Sequence, residues 1–553
     1  MDSTKKTRNF LILLAIIAIL FLLVLIRVGN IDHTFAAKRT SYDDPEVASQ
    51  VTRGAILDRN GRILAIENTY TSCSFRLDAI TDLPAAAAFA APYLDMKSSE
   101  IIEACKGHTY QAMVKRRIDK KKEEAFRAAI QAQKYTGKIK LETFTGRDYP
   151  YTFHAAQLLG FIGQDGTGLA GLEHSLDSQL SPLPGLDEKV TRGTDVTLTL
   201  DMDIQYLSDL EVQKIGNKFK PESALAIVMD AKTGDLLAVT SYPWFDPNDI
   251  SDSTDDERQE KAFSMLYEPG SVFKVFSFSA IMDIGEADLA TPFECTGSYT
   301  FTNRGQTATV NCVHAHGTVT PTTMIAKSCN GAISCWALQT DDRPFYDKLC
   351  SFGFNAKQDL PVTGIARSRI ADPSTWSFRS KPTISFGQEM DTTALNIVSA
   401  ATALANGGYL LSPHLILEKQ AGDLYPGKGK ILETRQVQKS KEPIISKKTA
   451  DFVLGAMVEA TKEGGTAIAC AVDGLKVAAK TGTAQLFNEK THSYINSRTM
   501  ASTLAIVPED DPKYIIYIAA KAPSQGSIWG SNIAAPAVGN LIRGLVAQGK
   551  LLR

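Results

Sequence analysis

The longest unbroken apolar stretch comes first. FLILLAIIAILFLLVLI, Phe10 to Ile26, has no charged residue and follows Lys5, Lys6 and Arg8. A spanning helix takes roughly 20 apolar residues, and this run approaches that length while exceeding the usual apolar core of a signal peptide. TFAA (Thr34 to Ala37) is a poor cleavage site. The pattern predicts an uncleaved transmembrane anchor over residues 10–27, with the basic residues 1–9 as a cytoplasmic tail by the positive-inside tendency. Residues from 28 onward then lie outside the cytoplasm.

Further on, apolar positions recur in shorter blocks. After a linker-like SYDDPE (Ser41 to Glu46), RGAILDRNGRILA (Arg53 to Ala65) reads as two short strands turning at Asn60-Gly61, a strong hairpin signal. In KRRIDKKKEEAFRAAI (Lys115 to Ile130), Ile118, Phe126 and Ile130 line one face of a predicted helix whose charged side is solvated. A glycine-rich segment (Gly160 to Leu180) leads to DVTLTLDMDIQ (Asp195 to Gln205), where the texture changes and a domain boundary is placed near residue 195. SALAIVMD (Ser223 to Asp230) and DLLAVTSYP (Asp235 to Pro243) predict a hairpin. Val272 to Ile284 predicts a helix apolar on nearly every side, closed by Gly285. Three late strand-like runs, Leu475 to Gln485, Thr499 to Val507 and Lys513 to Ala522, predict a meander, followed by a helix over residues 535–547. Together these elements predict an α+β multidomain chain in which helices pack on an antiparallel sheet.

Composition adds limits. The 553 residues, 44% hydrophobic and 22% charged, suit two to four domains. A net charge of -2 offers no excess with which to neutralise a nucleic-acid backbone. Eight scattered cysteines do not form a compact disulfide framework; Cys295 and Cys312 are the best candidates for a bridge. With CVHAH (Cys312 to His316) they also suggest zinc, but no HExxH or CxxC spacing supports it, so neither a metal nor a cofactor is expected.

The chemistry starts from Lys274, in the first turn of the apolar helix. A helix apolar all round is normally buried, and a buried lysine shifts toward its neutral form. Ser271 lies one turn earlier, at i and i+3, where a neutral amine can take its hydroxyl proton. Alone, Ser-x-x-Lys is a chance pattern. SCN (Ser328 to Asn330) alone reads as a turn, but KTGTA (Lys480 to Ala484) lies in a predicted strand where Gly482 permits close approach of another chain. Lys480, Thr481 and Thr483 can hold a carboxylate. A second Lys-Thr-Gly, Lys232 to Gly234, lies between two strands where it is turn chemistry, precedes Ser271, and is followed by Asp235, which would repel a carboxylate.

In this order, Ser-x-x-Lys, Ser-x-Asn and Lys-Thr-Gly resemble the signature of the penicillin-binding proteins and serine β-lactamases. RGAILDRNGRILA and GLAGLEHSLD resemble the pedestal of class B penicillin-binding proteins. YEPGSVFK, ISFGQEMDTTALN, ALANGG and SNIAAP resemble their transpeptidase domain. No glycosyltransferase domain fits between the anchor and residue 195, against the class A type. The resemblance implies a single transmembrane helix, an elongated pedestal or dimerisation-type domain over residues 28–195, and a serine β-lactamase-like transpeptidase domain over residues 196–553.

It further implies Ser271 as acylated nucleophile, Lys274 as general base, Ser328 as proton relay and Asn330 as holder of the donor peptide. Lys480, Thr481, Gly482 and Thr483 would bind the terminal carboxylate, with the N–H groups of Ser271 and Thr483 as oxyanion hole. The substrates would be peptidoglycan stem peptides ending in D-Ala-D-Ala, and β-lactam antibiotics would acylate the same serine. Localisation would be the bacterial cytoplasmic membrane with an extracytoplasmic catalytic domain. By resemblance, the partners are a membrane-embedded glycan polymerase and the division machinery.

Ala479, Glu389 and SPLPG (Ser181 to Gly185) depart from the pattern without removing a catalytic group. The expected activity is a septal D,D-transpeptidase. The alternatives are an elongation-type transpeptidase, a β-lactam sensor or β-lactamase, and a non-catalytic cell-wall scaffold.

Overall fold

A computed structural model of the chain describes residues 51–182, 191–488 and 493–552. The predicted anchor, residues 10–27, and the tail before it lie outside the described residues. Among the described residues no helix is long and apolar enough to cross a membrane.

The amino-terminal part is built on one long strand. Ile56–Leu57 turns at Gly61, whose φ of +81° suits glycine, into Ile63–Arg76. That strand pairs antiparallel with Gln111–Lys115 and with Ile139–Asp148. Helices Leu83–Leu94, Ser98–Cys105 and Lys120–Ala132 close over it, burying Phe75, Leu94, Phe126 and Ile130. The charged run therefore divides. Lys115 ends a strand, Ile118 donates its N–H to the Thr71 carbonyl at 2.9 Å, and the helix starts only after Asp119, whose carboxylate accepts from the Lys121 N–H. An N-cap aspartate stops the helix from extending back to Lys115.

Strand pairing ties this part to the rest of the chain. Ile56–Leu57 also pairs in parallel with Asp195–Leu198, which pairs antiparallel with Ile416–Gln420, itself paired with Ile431–Thr434. Residues beyond 194 thus supply three strands of a seven-stranded sheet. Beside it Glu173, fully buried, accepts from Arg53 Nε at 2.7 Å and from Arg147 Nε at 2.6 Å, while Arg53 also reaches Asp177 at 2.7 Å.

A separate sheet has five antiparallel strands: β1 (Ser223–Asp230), β2 (Leu236–Tyr242), β3 (Ala478–Asn488), β4 (Ser493–Val507) and β5 (Tyr514–Lys521), in the order β3-β4-β5-β1-β2. On one face lie α1 (Met202–Phe219) and the carboxy-terminal helix Gly530–Ala547, packing Val212, Ile215, Val538 and Leu541 against Ile516 and Ile518. On the other face lies a helical layer that contains α2 (Lys274–Ile284), α3 (Pro321–Lys327) and α4 (Asn330–Leu338). The predicted hairpin and meander are present, with two differences. β4 begins at Ser493, earlier than the apolar pattern shows, because Ser493, Tyr494, Ser497 and Arg498 are exposed and give its start no apolar run. The last helix begins at Gly530 and carries Pro536 inside it, where a start near residue 535 was expected.

Candidate active site

Ser271 does not sit in the helix itself but in a short 3-10 turn, Gly270–Phe273, that runs into α2. Gly270 has φ +58° and donates its N–H to the Gly387 carbonyl at 2.9 Å. A Cβ there would lie 2.9 Å from that of Ala484, so the turn is pressed against β3. α2 buries every residue from Lys274 to Ile281, and Lys274 is 0% exposed.

Four oxygens surround the Lys274 amine: Ser271 Oγ at 2.9 Å, the Ser328 carbonyl at 2.8 Å, Ser328 Oγ at 3.1 Å and Asn330 Oδ1 at 2.5 Å. Two of these, the carbonyl and Oδ1, can only accept. A neutral amine has two N–H bonds for them and one lone pair left for a hydroxyl proton. Burial lowers the Lys274 pKa from 10.5 to about 8, which makes that neutral form accessible near physiological pH.

The second lysine comes from β3. Lys480 donates to Ser328 Oγ at 2.9 Å and to the Thr481 carbonyl at 2.9 Å. Burial, and after it the neighbouring Lys274, pushes its pKa well below the usual lysine value. Ser328, which both amines touch, ends α3 in the left-handed region at φ +61° and ψ +43°. That turn sends the chain through Cys329 into α4, so Asn330 reaches Lys274 with Oδ1 and donates Nδ2 to the Asn311 carbonyl at 2.9 Å.

Gly482 carries the close approach expected of it. A Cβ would meet Ser502 Oγ at 2.7 Å, Val272 Cγ2 at 2.9 Å and the Pro269 carbonyl at 3.0 Å. Thr481 donates its hydroxyl to Thr466 Oγ1 at 2.9 Å, and Thr483 Oγ1 accepts from the Gly530 N–H at 3.0 Å, leaving its own proton to donate. The structure thus gathers all eight residues singled out from sequence: Ser271, Lys274, Ser328, Asn330, Lys480, Thr481, Gly482 and Thr483.

The second Lys-Thr-Gly is elsewhere, in the β1–β2 turn. Asp230 accepts from the N–H groups of Lys232 and Thr233, Gly234 has φ +77°, and Asp235 is buried against Arg435 at 2.6 Å. The proposed bridge is absent as well: Cys295 and Cys312 are free thiols with sulfurs 3.7 Å apart, where a disulfide spans about 2 Å.

Sequence reasoning missed several neighbours. Glu268, three residues before the serine, accepts from the Glu389 N–H at 2.8 Å and the Tyr494 hydroxyl at 2.9 Å, and burial raises its pKa to about 7. Thr466 and Asn311 steady Thr481 and Asn330. No local pattern marks any of them, because each partner is distant in the chain.

Fold and side-chain set together define the class of serine enzymes that share these three motifs. Comparison with known proteins narrows it. The penicillin binding protein transpeptidase domain matches residues 224–543, more than half of the chain, and the penicillin-binding protein dimerisation domain matches residues 48–194. Stage V sporulation protein D of Bacillus subtilis is 26% identical, over 98% of this chain and 85% of that protein. "Probable peptidoglycan D,D-transpeptidase FtsI" of Caulobacter vibrioides is 26% identical over 89% of this chain and 80% of that one. Among solved structures, the apo form of penicillin binding protein 3 from Mycobacterium tuberculosis superposes with a TM-score of 0.70 at 25% identity, covering 91% of this chain and 97% of that chain. The chain belongs to the penicillin-binding proteins, of the class B type in which a dimerisation domain precedes the transpeptidase domain.

Proposed function

We propose that the chain is a peptidoglycan D,D-transpeptidase working through an acyl-enzyme on Ser271. The observation that carries this reading is the 2.9 Å contact between a part-exposed Ser271 Oγ and a fully buried Lys274 amine. The neutral amine takes the hydroxyl proton as Oγ attacks the carbonyl of the D-Ala-D-Ala bond. The N–H groups of Ser271 and Thr483 receive the oxyanion, each worth about 3 kcal/mol in comparable acyl transfers. The C–N bond then breaks, and the departing D-Ala nitrogen takes the proton back from Lys274 through Ser328. An amine of a second stem peptide attacks the ester, gives its proton to the base, and frees Ser271.

Substrate binding sets the base. Lys274 and Lys480 share Ser328 Oγ, and burial disfavours charge on both. A terminal carboxylate held by Lys480, Thr481 and Thr483 favours the proton on Lys480 and leaves Lys274 neutral. Asn330 lies where it can hold the donor peptide. A β-lactam carries a carboxylate and an acyl group in the same relation, so it acylates the same serine.

The domain reading is an anchor over residues 10–27, a pedestal over 28–195 and a transpeptidase domain over 196–553. It places the enzyme at the cytoplasmic membrane with its active site outside. A role in septal wall synthesis beside a membrane-embedded glycan polymerase is supported by YEPGSVFK around Ser271. Similarity to a protein named for stage V of sporulation favours a second reading, the same reaction in spore formation.

The test of the chemistry is the intact mass of the full-length protein after incubation with a fluorescent penicillin. One adduct on the peptide carrying Ser271, absent from a folded Ser271→Ala variant, is expected; label on another residue sinks the assignment. Depletion then separates the roles: filaments with blocked septa mark division, round swollen cells mark elongation, and normal growth with failed spores marks sporulation.

A further inference from the structure

The fold gathers a second group of reactive side chains next to the first. Cys295 ends the strand Phe293–Cys295, Cys312 follows the strand Gln306–Asn311, His316 precedes the strand Gly317–Val319, and Cys329 lies between Ser328 and Asn330. One ligand atom from each lies within 4.8 Å of the others. We propose that these three cysteines and one histidine bind a single zinc ion in a closed structural site.

Distances, chemistry and surroundings carry this. Tetrahedral zinc, with Zn–S of about 2.3 Å and Zn–N of about 2.0 Å, sets sulfurs about 3.8 Å apart and sulfur and nitrogen about 3.5 Å apart. Cys295 to Cys312 and Cys312 to Cys329 are each 3.7 Å, and Cys295 Sγ to His316 Nδ1 is 3.3 Å. Simple van der Waals contact gives similar pairwise spacings; what it does not give is four ligand-type side-chain atoms all within 4.8 Å of one another. Two backbone N–H groups also point at the sulfurs, Gly331 at Cys312 (3.4 Å) and Ala332 at Cys329 (3.5 Å). Such bonds, at the start of α4, favour the thiolate form that zinc binds. Four protein ligands leave no open position, which marks a structural and not a catalytic ion.

The ion would fasten a double hairpin to the catalytic turn. Cys295 is in register with Gly317 across one pair of strands, and Asn311, which ends the other pair just before Cys312, accepts from Asn330. Asn330 in turn contacts Lys274. The ligands come from a strand end, the loop from Cys312 to His316 and a helix cap, so neither HExxH nor CxxC spacing describes them. The expectation of no metal rested on those spacings.

The experiment is elemental analysis of the full-length protein purified in detergent without chelator. About one zinc per chain is expected, falling at least tenfold in Cys312→Ser and in His316→Ala but not in Cys335→Ser, a cysteine outside the group. Protein produced in cobalt medium should show tetrahedral d–d bands with thiolate-to-cobalt charge transfer, a readout that needs no variant to fold. Metal-free protein whose eight thiols all titrate once it is denatured, a denatured mass two hydrogens light from a disulfide, an octahedral cobalt spectrum, or zinc retained by both ligand variants would each overturn the site. Ser271→Ala should keep zinc while losing penicillin, so this inference and the acyl-enzyme reading fail separately.

Discussion

Two amines meet at one hydroxyl, and the pH dependence of the reaction follows from that. Lys274 is buried and its pKa falls from 10.5 to about 8, so the free protein holds a growing fraction of neutral base as pH rises toward 8. Acylation by a penicillin should therefore increase about tenfold per pH unit below that value and level off above it; a rate flat from pH 6 to 9 would remove Lys274 as the base. The stability term has the matching sign. A lowered lysine pKa means that stability present above the unfolded value is lost as pH falls through the folded one. Lys274→Arg should fold yet acylate very slowly, because guanidinium stays protonated, and stopped-flow labelling would show it.

Thr483→Val removes the hydroxyl offered to the carboxylate and should slow acylation at least tenfold, about 1.4 kcal/mol in the barrier. Thr233→Val, in the turn copy of the motif, should change it less than about twofold, since surface substitutions shift stability by only ~0.5 kcal/mol. The opposite ranking would place the carboxylate site wrongly. At this scale the sequence was highly legible, because three motifs name the residues that touch. Glu268 and Tyr494 were not, since 226 residues separate them and only the fold makes them neighbours.

Elements set how closely these residues meet. β3 runs against the serine turn only because Gly482 has no side chain, with the Pro269 carbonyl 3.0 Å from where a Cβ would be. Gly482→Ala should push strand and turn apart and cut acylation by more than tenfold with the protein still folded; unchanged kinetics would show that the contact is slack. Gly455, inside the helix Lys447–Glu459, has nothing within 4 Å of a Cβ. Gly455→Ala should stabilise the protein by about 0.5–1 kcal/mol, visible as a raised melting temperature. Hairpin, meander and apolar helix could be read from apolar periodicity. The 3-10 turn under Ser271 and the polar start of β4 could not, because the first depends on the Gly270–Gly387 contact and the second on pairing of exposed residues with β3.

At the scale of the molecule, the pedestal rests on buried charge and shared strands. Glu173 stands between Arg53 and Arg147, all three nearly inaccessible to solvent. Glu173→Gln would leave the buried Arg147 guanidinium uncompensated and Arg53 with Asp177 alone, a loss of about 3–5 kcal/mol, and differential scanning calorimetry should record it. A texture change near residue 195 is visible in sequence. The return of Ile416–Gln420 to pair with Asp195–Leu198 is not, because more than two hundred residues intervene without a local cue.

That returning strand has a consequence for inheritance. A gene recombined at the codon for residue 195 would join one parent's pedestal to another's catalytic half, yet the seam would still run through a single sheet. Ile56 would face a foreign Val196 in parallel register. The halves are therefore exchangeable only between parents whose strands at 56–57 and 195–198 remain compatible, and the unit that travels intact is the pedestal together with its borrowed strands.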